Sequence, residues 1–172
     1  YGYNLHFRLY SGGGVLTKAA FGVFPRLNVG FGLDTEHFIG AETTDVNPPT
    51  LNVKFRFFDG QRHLPALALG YDGQGYFYDH TTDKYRQREK GLFLVGSGEA
   101  VVPHLTVHGG LNIFDFSEDT VYGFAAVNYL YADVIGVTYE LDNIHSARNN
   151  RHNAGVRYFI TPSLSVDVAA RD

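Results

Sequence analysis

The chain of 172 residues contains no cysteine, no methionine and no tryptophan. Without cysteine, disulfides and thiolate metal ligands are excluded. No run of about 18 apolar residues occurs, so the sequence predicts no transmembrane helix. Lys and Arg together number 14 against 18 Asp and Glu, which gives a net charge of −4. A basic surface for nucleic acid is therefore not expected, and we predict no nucleic-acid partner.

Glycine and aromatic residues are abundant, with 20 Gly, 12 Tyr and 14 Phe. Apolar and polar side chains alternate strictly along residues 51–57 (LNVKFRF). This period of two is typical of a strand with one apolar and one polar face. A turn at residues 59–62 (DGQR) and a second alternating run at 64–78 (LPALALGYDGQGYFY) complete a predicted hairpin.

The same pattern recurs along the whole chain and predicts about eleven strands. Besides the two strands of the 51–78 hairpin, they cover residues 3–10, 15–24, 27–35, 90–98, 105–112, 121–127, 133–142, 153–160 and 164–171. No segment has the periodicity of an amphipathic helix, and no linker composition marks a boundary. We expect residues 1–172 to form a single all-β domain.

Two all-β architectures fit this pattern: a soluble barrel or sandwich with an apolar interior, and a membrane barrel whose apolar face meets lipid. Seven glycines fall on the polar face of the predicted strands: Gly22, Gly30, Gly32, Gly70, Gly110, Gly136 and Gly155. Glycine weakens a solvent-facing strand, but in a crowded interior it leaves room for neighbouring side chains. The glycines therefore favour the membrane barrel.

Strand number and connection lengths favour the same architecture. Eight strands already enclose an interior that side chains fill, so eleven or twelve around an apolar interior would leave an empty cavity. Short predicted turns (25–26, 59–63, 103–104, 129–132 and 161–163) alternate with longer links (40–50, 79–89, 114–120 and 144–152). Aromatic residues near strand ends are typical of interfacial girdles. We predict an antiparallel up-and-down transmembrane β-barrel in a bacterial outer membrane.

Bacterial single-chain barrels have even strand numbers, whereas eleven strands are visible here. An open strand edge in lipid leaves backbone groups unsatisfied at several kcal/mol each. We therefore expect about twelve strands, with the closing strand lying beyond Asp172 or the gap closed by a partner or by the first strand.

Four segments carry a family resemblance: GGGVL at 12–16, LPALALGYDGQGY at 64–76, HGGLN at 108–112 and the final RD. In these the chain resembles the YjbH-like family of bacterial outer-membrane β-barrel proteins. The resemblance implies a role linked to exopolysaccharide production and export, and a further strand after the RD. It implies no catalytic residues.

Polar and charged residues of the strands form the predicted lining of the barrel. They are Arg8, Lys18, Asn28, Asp34, Lys54, Arg56, Asp72, His108, Asn112, Glu140, Arg157, Asp167 and Arg171, with His6 and Asn52 alongside. One interpretation is a water-filled path whose mixed charges set selectivity. The other is a plugged interior in which opposite charges pair and brace the wall.

Other polar residues suggest chemistry that we weigh against these structural roles. His145 and His152 flank one loop, Asp79 and Asp83 lie in another, Asp115, Glu118 and Asp119 lie in a third, and Glu140 and Asp142 share a strand face. None matches an EF-hand, a zinc signature or a GxSxG nucleophile turn. We expect no enzyme, no cofactor and no metal.

The sequence thus predicts a porin-like outer-membrane protein that acts as a passive conduit or anchors an envelope complex. Its expected partners are outer-membrane lipid and other envelope proteins or polysaccharide. The alternatives are a barrel that conducts nothing and binds a partner through its loops, and a soluble β-sandwich binding module.

Overall fold

The structure is a computed structural model that describes residues 3–10, 12–61, 64–88, 90–114, 116, 120–145, 150–161 and 164–171. Within these ranges the chain is all-β and contains no helix. No helix in this part of the chain is long and apolar enough to cross a membrane. The strands are β1 (Tyr3–Tyr10), β2 (Gly14–Phe24), β3 (Leu27–Glu36), β4 (Asp45–Val46), β5 (Thr50–Phe58), β6 (Ala66–Asp72), β7 (Gly75–Asp79), β8 (Lys84–Arg88), β9 (Gly91–Glu99), β10 (Leu105–Ile113), β11 (Tyr122–Tyr131), β12 (Ile135–Ile144), β13 (Arg151–Thr161) and β14 (Leu164–Arg171).

Twelve of these strands belong to one antiparallel sheet, which confirms the predicted fold class at that level. The strand order is β1-β2-β3-β5-β6-β9-β10-β11-β12-β13-β14, with the two-residue β4 beside β3. The path has the same eleven strands that alternation predicts. No ladder between β1 and β14 occurs among the described residues. Closure into a barrel therefore stays a prediction.

Most strand boundaries agree with the prediction to within two residues, and the largest differences occur in two places. The second strand of the predicted 51–78 hairpin ends at Asp72, and residues 75–88 form a separate two-stranded sheet of β7 and β8. The predicted polar link at 79–89 is therefore partly strand. Further on, β11 runs to Tyr131 rather than to residue 127, because Asn128-Tyr129-Leu130 continues the alternation.

The chain divides into two compact units. Unit 1 comprises Tyr1–Phe55 and Leu69–Phe93, and unit 2 comprises Arg56–Ala68 and Leu94–Asp172. The expectation of one domain over residues 1–172 stays a prediction.

Burial in unit 1 is the reverse of that in a soluble sheet. Along β3, Gly30, Gly32 and Asp34 are buried, whereas Phe31 and Leu33 between them are exposed. Phe31 keeps 57% of its surface accessible and Asp34 keeps none. Since successive side chains of a strand point to opposite faces, the covered face of β3 is its polar one.

Unit 2 shows the same reversal. In β10, Leu111 is 56% exposed and the adjacent Asn112 is 1% exposed. In β12, Val137 is exposed, whereas Gly136 and Asp142 are buried. The open face of both units is thus lined by apolar residues, and the covered face holds polar residues together with some apolar ones such as Leu16 and Phe124.

Crowding explains four of the polar-face glycines. A Cβ on Gly70 would collide with the Phe93 ring, and one on Gly110 would collide with the Phe124 ring. Gly30 and Gly32 are crowded in the same way by Asn52 and by the side chains of Thr50 and Gln74. These glycines hold space that neighbouring side chains occupy, as their placement in the sequence predicts.

Crowding does not account for Gly136 and Gly155. A Cβ on either residue would make only ordinary van der Waals contacts, the nearest at 3.5 and 3.4 Å. For these two positions the predicted steric reason is wrong.

The connections follow the predicted alternation of lengths. Residues 25–26, 100–104 and 132–134 join strands at one end of the sheet, and the longer segments 37–49 and 73–90 join strands at the other. The aromatics at strand ends divide into two groups. Phe24, Tyr129 and Tyr131 are exposed, as an interfacial girdle requires, whereas Tyr76 is buried and so is not a girdle residue.

Candidate functional site

A cavity of about 520 Å³ opens on the polar face of unit 1. Strand register builds it: His6 in β1 lies opposite Lys18 in β2, and Asn28 in β3 lies opposite Lys54 in β5. Gly22 in β2 pairs with Asn28 in β3, and because it has no side chain it leaves space in the cavity. The remaining lining residues are Ala20, Asn52, Val53, Tyr71, Asp72 and Phe93. The cavity thus collects predicted lining residues from five strands of unit 1.

Charged side chains of both signs line this cavity. Lys18 Nζ lies 3.0 Å from Asp72 Oδ2, and both side chains are 21% exposed. Asp72 Oδ1 also accepts a hydrogen bond from the Gln74 backbone N–H at 3.1 Å. Lys54 is the other lysine of the described lining.

A second polar network lies at the other end of the same face. Tyr10 Oη donates to Asp34 Oδ1 at 2.7 Å, and Asn47 Nδ2 donates to Asp34 Oδ2 at 2.8 Å. The same Asn47 nitrogen lies 3.1 Å from Glu36 Oε1. Neutral donors thus hold the buried Asp34 carboxylate, which is how a protein keeps a buried acid from being left unsatisfied.

The β7–β8 hairpin attaches to this network. The Tyr78 backbone N–H donates to Glu36 Oε1 at 2.9 Å. The Tyr76 ring meets the Tyr10 ring edge-on at 5.5 Å, and the Arg8 guanidinium lies 5.6 Å from the centre of the Tyr76 ring. The hairpin therefore packs on the polar side of β1 and β3 and covers that end of the face.

Tyr85 in β8 shows how closely the hairpin is packed. Burial, followed by the negative charge of Asp34, raises the pKa of the Tyr85 hydroxyl above its ordinary value. Gly75 lies beside Tyr85, and a Cβ at Gly75 would collide with that side chain. The Tyr85 hydroxyl stays protonated at neutral pH and acts as a neutral polar group.

Unit 2 carries a larger and more open cavity of about 1250 Å³. The cavity lies beside the 59–66 connection, the end of β9, and β10. Small residues such as Gly96 and Gly98 make up much of its lining. Asp59 and Glu99 are charged residues of its described lining, and Arg56 Nε donates to Asp59 Oδ1 at 2.9 Å. The predicted lining residue Arg56 is thus half-exposed beside the turn.

Glu140 and Asp142 share a strand face and were weighed as a paired-carboxylate site, but in the structure they bind different side chains. Arg151 Nη2 donates to the fully buried Asp142 Oδ2 at 3.0 Å, and Asn153 Nδ2 donates to Glu140 Oε1 at 3.3 Å. The two carboxylates have separate partners. Asp142 belongs to a buried ion pair rather than to an acid–base pair.

The other predicted lining residues of unit 2 are distributed over β10, β13 and β14. His108 Nδ1 is 2.8 Å from Ser97 Oγ, and Asn112 is buried in β10. The Arg157 guanidinium lies 5.8 Å from the Phe159 ring centre. Asp167 faces Arg157 in the β13–β14 register and Arg171 faces Asn153, but their side chains lie outside the description.

The residues weighed for metal binding have other neighbours. His152 Nδ1 lies 2.6 Å from Tyr139 Oη, whereas the His145 ring packs at 5.5 Å on Tyr122. No group of three His, Asp or Glu residues in the described ranges is placed to hold a metal ion. The predicted loop acids Asp115, Glu118 and Asp119 lie outside the described residues.

The structure brings together Lys18, Asn28, Lys54 and Asp72 in one cavity and places Asp34 in the second network. Sequence reasoning missed several polar residues of unit 1 that the structure buries or half-buries: Asn47, Glu36 and Gln74. Asn47 and Glu36 are buried or half-buried near a loop, and Gln74 is fully buried at a strand break. The signal available for Glu36 was its place two residues after Asp34 on the same face of a strand.

Comparisons with known proteins add no relative. No protein-family model, no curated protein and no solved structure matches the chain.

Proposed function

We propose that this protein is a bacterial outer-membrane β-barrel whose polar face lines the interior. The observation that carries the proposal is the reversed burial: Asp34, Asn112 and Asp142 are buried while Phe31 and Leu111 are exposed. In lipid the outward face must be apolar, and the sequence signature of such barrels is alternating apolar-out and polar-in residues.

The soluble β-sandwich is the alternative that this burial pattern disfavours. Phe7, Phe31, Leu111 and Val168 are each more than half exposed, and each lies on the open face of a strand. Apolar surface in water costs about 25 cal/mol per Å², and soluble monomers rarely expose large contiguous apolar patches. A lipid environment removes this cost for every such residue at once.

Within the barrel proposal, a passive conduit is supported by the charged cavity of unit 1. An interior that carries mixed charges and holds water can pass small polar solutes and select them by charge. The non-conducting anchor is supported by a different observation: Tyr10, Asn47 and Arg151 satisfy the buried carboxylates of Asp34 and Asp142, and the hairpin covers one end of the polar face. A link to exopolysaccharide export is supported by the sequence resemblance alone.

Site-directed spin labelling tests the membrane orientation, and the natural absence of cysteine removes any background. Single cysteines at Val137, Thr138 and Tyr139 are labelled in protein reconstituted into liposomes. We expect labels at Val137 and Tyr139 to collide with lipid-soluble oxygen, and the label at Thr138 to be shielded from it. Equal oxygen accessibility at the three positions, or a protein that purifies without detergent, contradicts the proposal.

Planar-bilayer recording then separates conduit from anchor. Stable single-channel steps support the conduit, and a change in anion-to-cation preference in Lys54→Glu would place the ions in the unit 1 cavity. The matched control is Arg86→Gln, because Arg86 lies on the hairpin, is mostly exposed and does not line the cavity. A folded but silent barrel favours the anchor.

A further inference from the structure

We propose that the β7–β8 hairpin is a removable plug, an internal contact that closes one end of the polar face of unit 1. The hairpin comprises residues 75–88, and the Glu36 carboxylate is the clasp that holds it. The inference deepens the proposed conduit and rests on it for its physiological meaning. Whether Glu36 holds the hairpin is a property of unit 1 alone, because both belong to that unit.

The hairpin packs on the polar face of the strands, and three contacts show this. Tyr10, whose hydroxyl belongs to the buried network described above, meets the Tyr76 ring edge-on at 5.5 Å and the Phe77 ring edge-on at 5.6 Å. At the base of the hairpin, Gln74 is 1% exposed, and a Cβ on Gly32 of β3 would collide with its side chain. Ring and amide contacts therefore hold the hairpin against the polar side of β1 and β3.

The main sheet does not depend on the hairpin for its continuity. β7 and β8 pair with each other in a sheet of their own, and β6 and β9, which precede and follow the hairpin, are neighbours in the strand order of the main sheet. The first and last residues of the hairpin, Gly75 and Arg88, are also paired, so the chain enters and leaves the hairpin at nearly one point. The hairpin can therefore move away from the polar face while the main sheet keeps its strand order.

Glu36 accepts the hydrogen bond that ties the backbone of the hairpin to the sheet. The Tyr78 N–H donates to Glu36 Oε1 at 2.9 Å, and Asn47 Nδ2 lies 3.1 Å from the same oxygen. A two-stranded hairpin alone is marginally stable in water, and a hydrogen bond to a charged group contributes more than one between neutral groups. The position of the hairpin therefore depends strongly on this carboxylate.

Double electron–electron resonance measures the clasp directly in detergent-solubilised protein. Nitroxide labels are placed on cysteines at Thr82 in the hairpin turn and at Phe31 on the exposed face of β3. We expect one distance in the parent and a second, longer distance in Glu36→Ala, with the ratio of open to closed hairpin raised roughly tenfold, the effect of losing a hydrogen bond to a charged group. Glu36→Gln keeps an oxygen that accepts the Tyr78 N–H and should release the hairpin less.

A matched control and a shortened chain complete the test. Glu42 is an exposed acid of the same 37–49 connection that pairs with His37, so Glu42→Ala should leave the distance distribution unchanged. Replacing residues 75–88 by two glycines removes the plug, and we expect a severalfold rise in single-channel conductance in planar bilayers. Heat-modifiable migration on a gel checks that the shortened barrel folds; if it does not fold, the open time of Glu36→Ala channels is compared with that of the parent instead.

The plug is overturned if Glu36→Ala gives the distance distribution of the parent, if Glu42→Ala releases the hairpin as much, or if the folded barrel without the hairpin conducts no better than the parent. These failures differ from a failure of the proposed function. Lipid-facing labels at Val137 and Tyr139 together with an unreleased hairpin keep the membrane barrel and overturn the plug. Equal oxygen accessibility at residues 137–139 overturns the barrel, whereas the hairpin distances still decide whether Glu36 is the clasp.

Discussion

Two adjacent glycines in β10 provide a matched test of the crowded polar face. A Cβ on Gly110 would collide with the Leu94 carbonyl oxygen and the Phe124 ring, whereas a Cβ on Gly109 would meet nothing within 4 Å. The Leu94 carbonyl is part of the sheet backbone and cannot rotate away, and Phe124 is buried. We expect Gly110→Ala to lower the free energy of unfolding by about 1–3 kcal/mol, the usual cost of overpacking.

Gly109→Ala should change the free energy of unfolding by less than about 1 kcal/mol and in the stabilising direction. Both substitutions remove the same backbone freedom from the unfolded chain, so their difference reports the folded state alone. The assay is equilibrium urea unfolding in detergent micelles, with the folded fraction read from heat-modifiable migration on a gel. If Gly109→Ala costs as much as Gly110→Ala, the assignment of a crowded face and an open face to β10 is wrong.

Two further predictions concern charged groups. Arg151→Gln should lower the free energy of unfolding by about 2–3 kcal/mol, because it deprives the buried Asp142 of its ion pair. The double variant Asp142→Asn/Arg151→Gln should recover part of this loss. If Arg151→Gln alone is as stable as the parent in urea, the prediction is wrong. In the hairpin, the hydrogen bond from the Thr81 N–H holds the Asp79 pKa below its ordinary value of 3.8. The stabilisation by Asp79 is therefore fully present above pH 3.8 and is lost as the pH falls through the lower folded-state value. Nuclear magnetic resonance should show the Thr81 amide shifting over that acidic range in the parent and not in Asp79→Asn.

Alternation alone predicted the eleven strands of the main sheet path because each strand keeps one apolar face over many residues. The prediction failed at residues 73–88, where Phe77 falls in phase with Leu67, Leu69 and Tyr71 of β6. The chain leaves the sheet at Gly73-Gln74, and Phe77 adopts a φ of 57°. A period of two does not distinguish a strand that continues from one that breaks and starts a new hairpin, since the side chains alternate in both.

The candidate cavity was predictable in part. The cavity residues Lys18, Asn28, Lys54 and Asp72 were identifiable because they occupy the polar face of their strands. Their meeting in one cavity depends on the register of neighbouring strands, which turn geometry sets and sequence shows poorly. Asn47 was not identifiable at all, because a loop asparagine is usually exposed and only the folded loop places it against Asp34.

The two polar clusters of unit 1 are satisfied in different ways, and this difference decides what each can do. At the Asp34 end, Tyr10 and Asn47 donate to the carboxylate, so the network needs no solute and stiffens the end of the face that the hairpin covers. In the cavity, Lys18 pairs with Asp72, both side chains are 21% exposed, and the lining surrounds a space of about 520 Å³. A carboxylate held by neutral donors serves the structure, whereas a polar cavity of this size has room for water or a small solute. In the proposed conduit, the cavity is the part of this face where a solute would act, and the hairpin end is the part that would limit its passage.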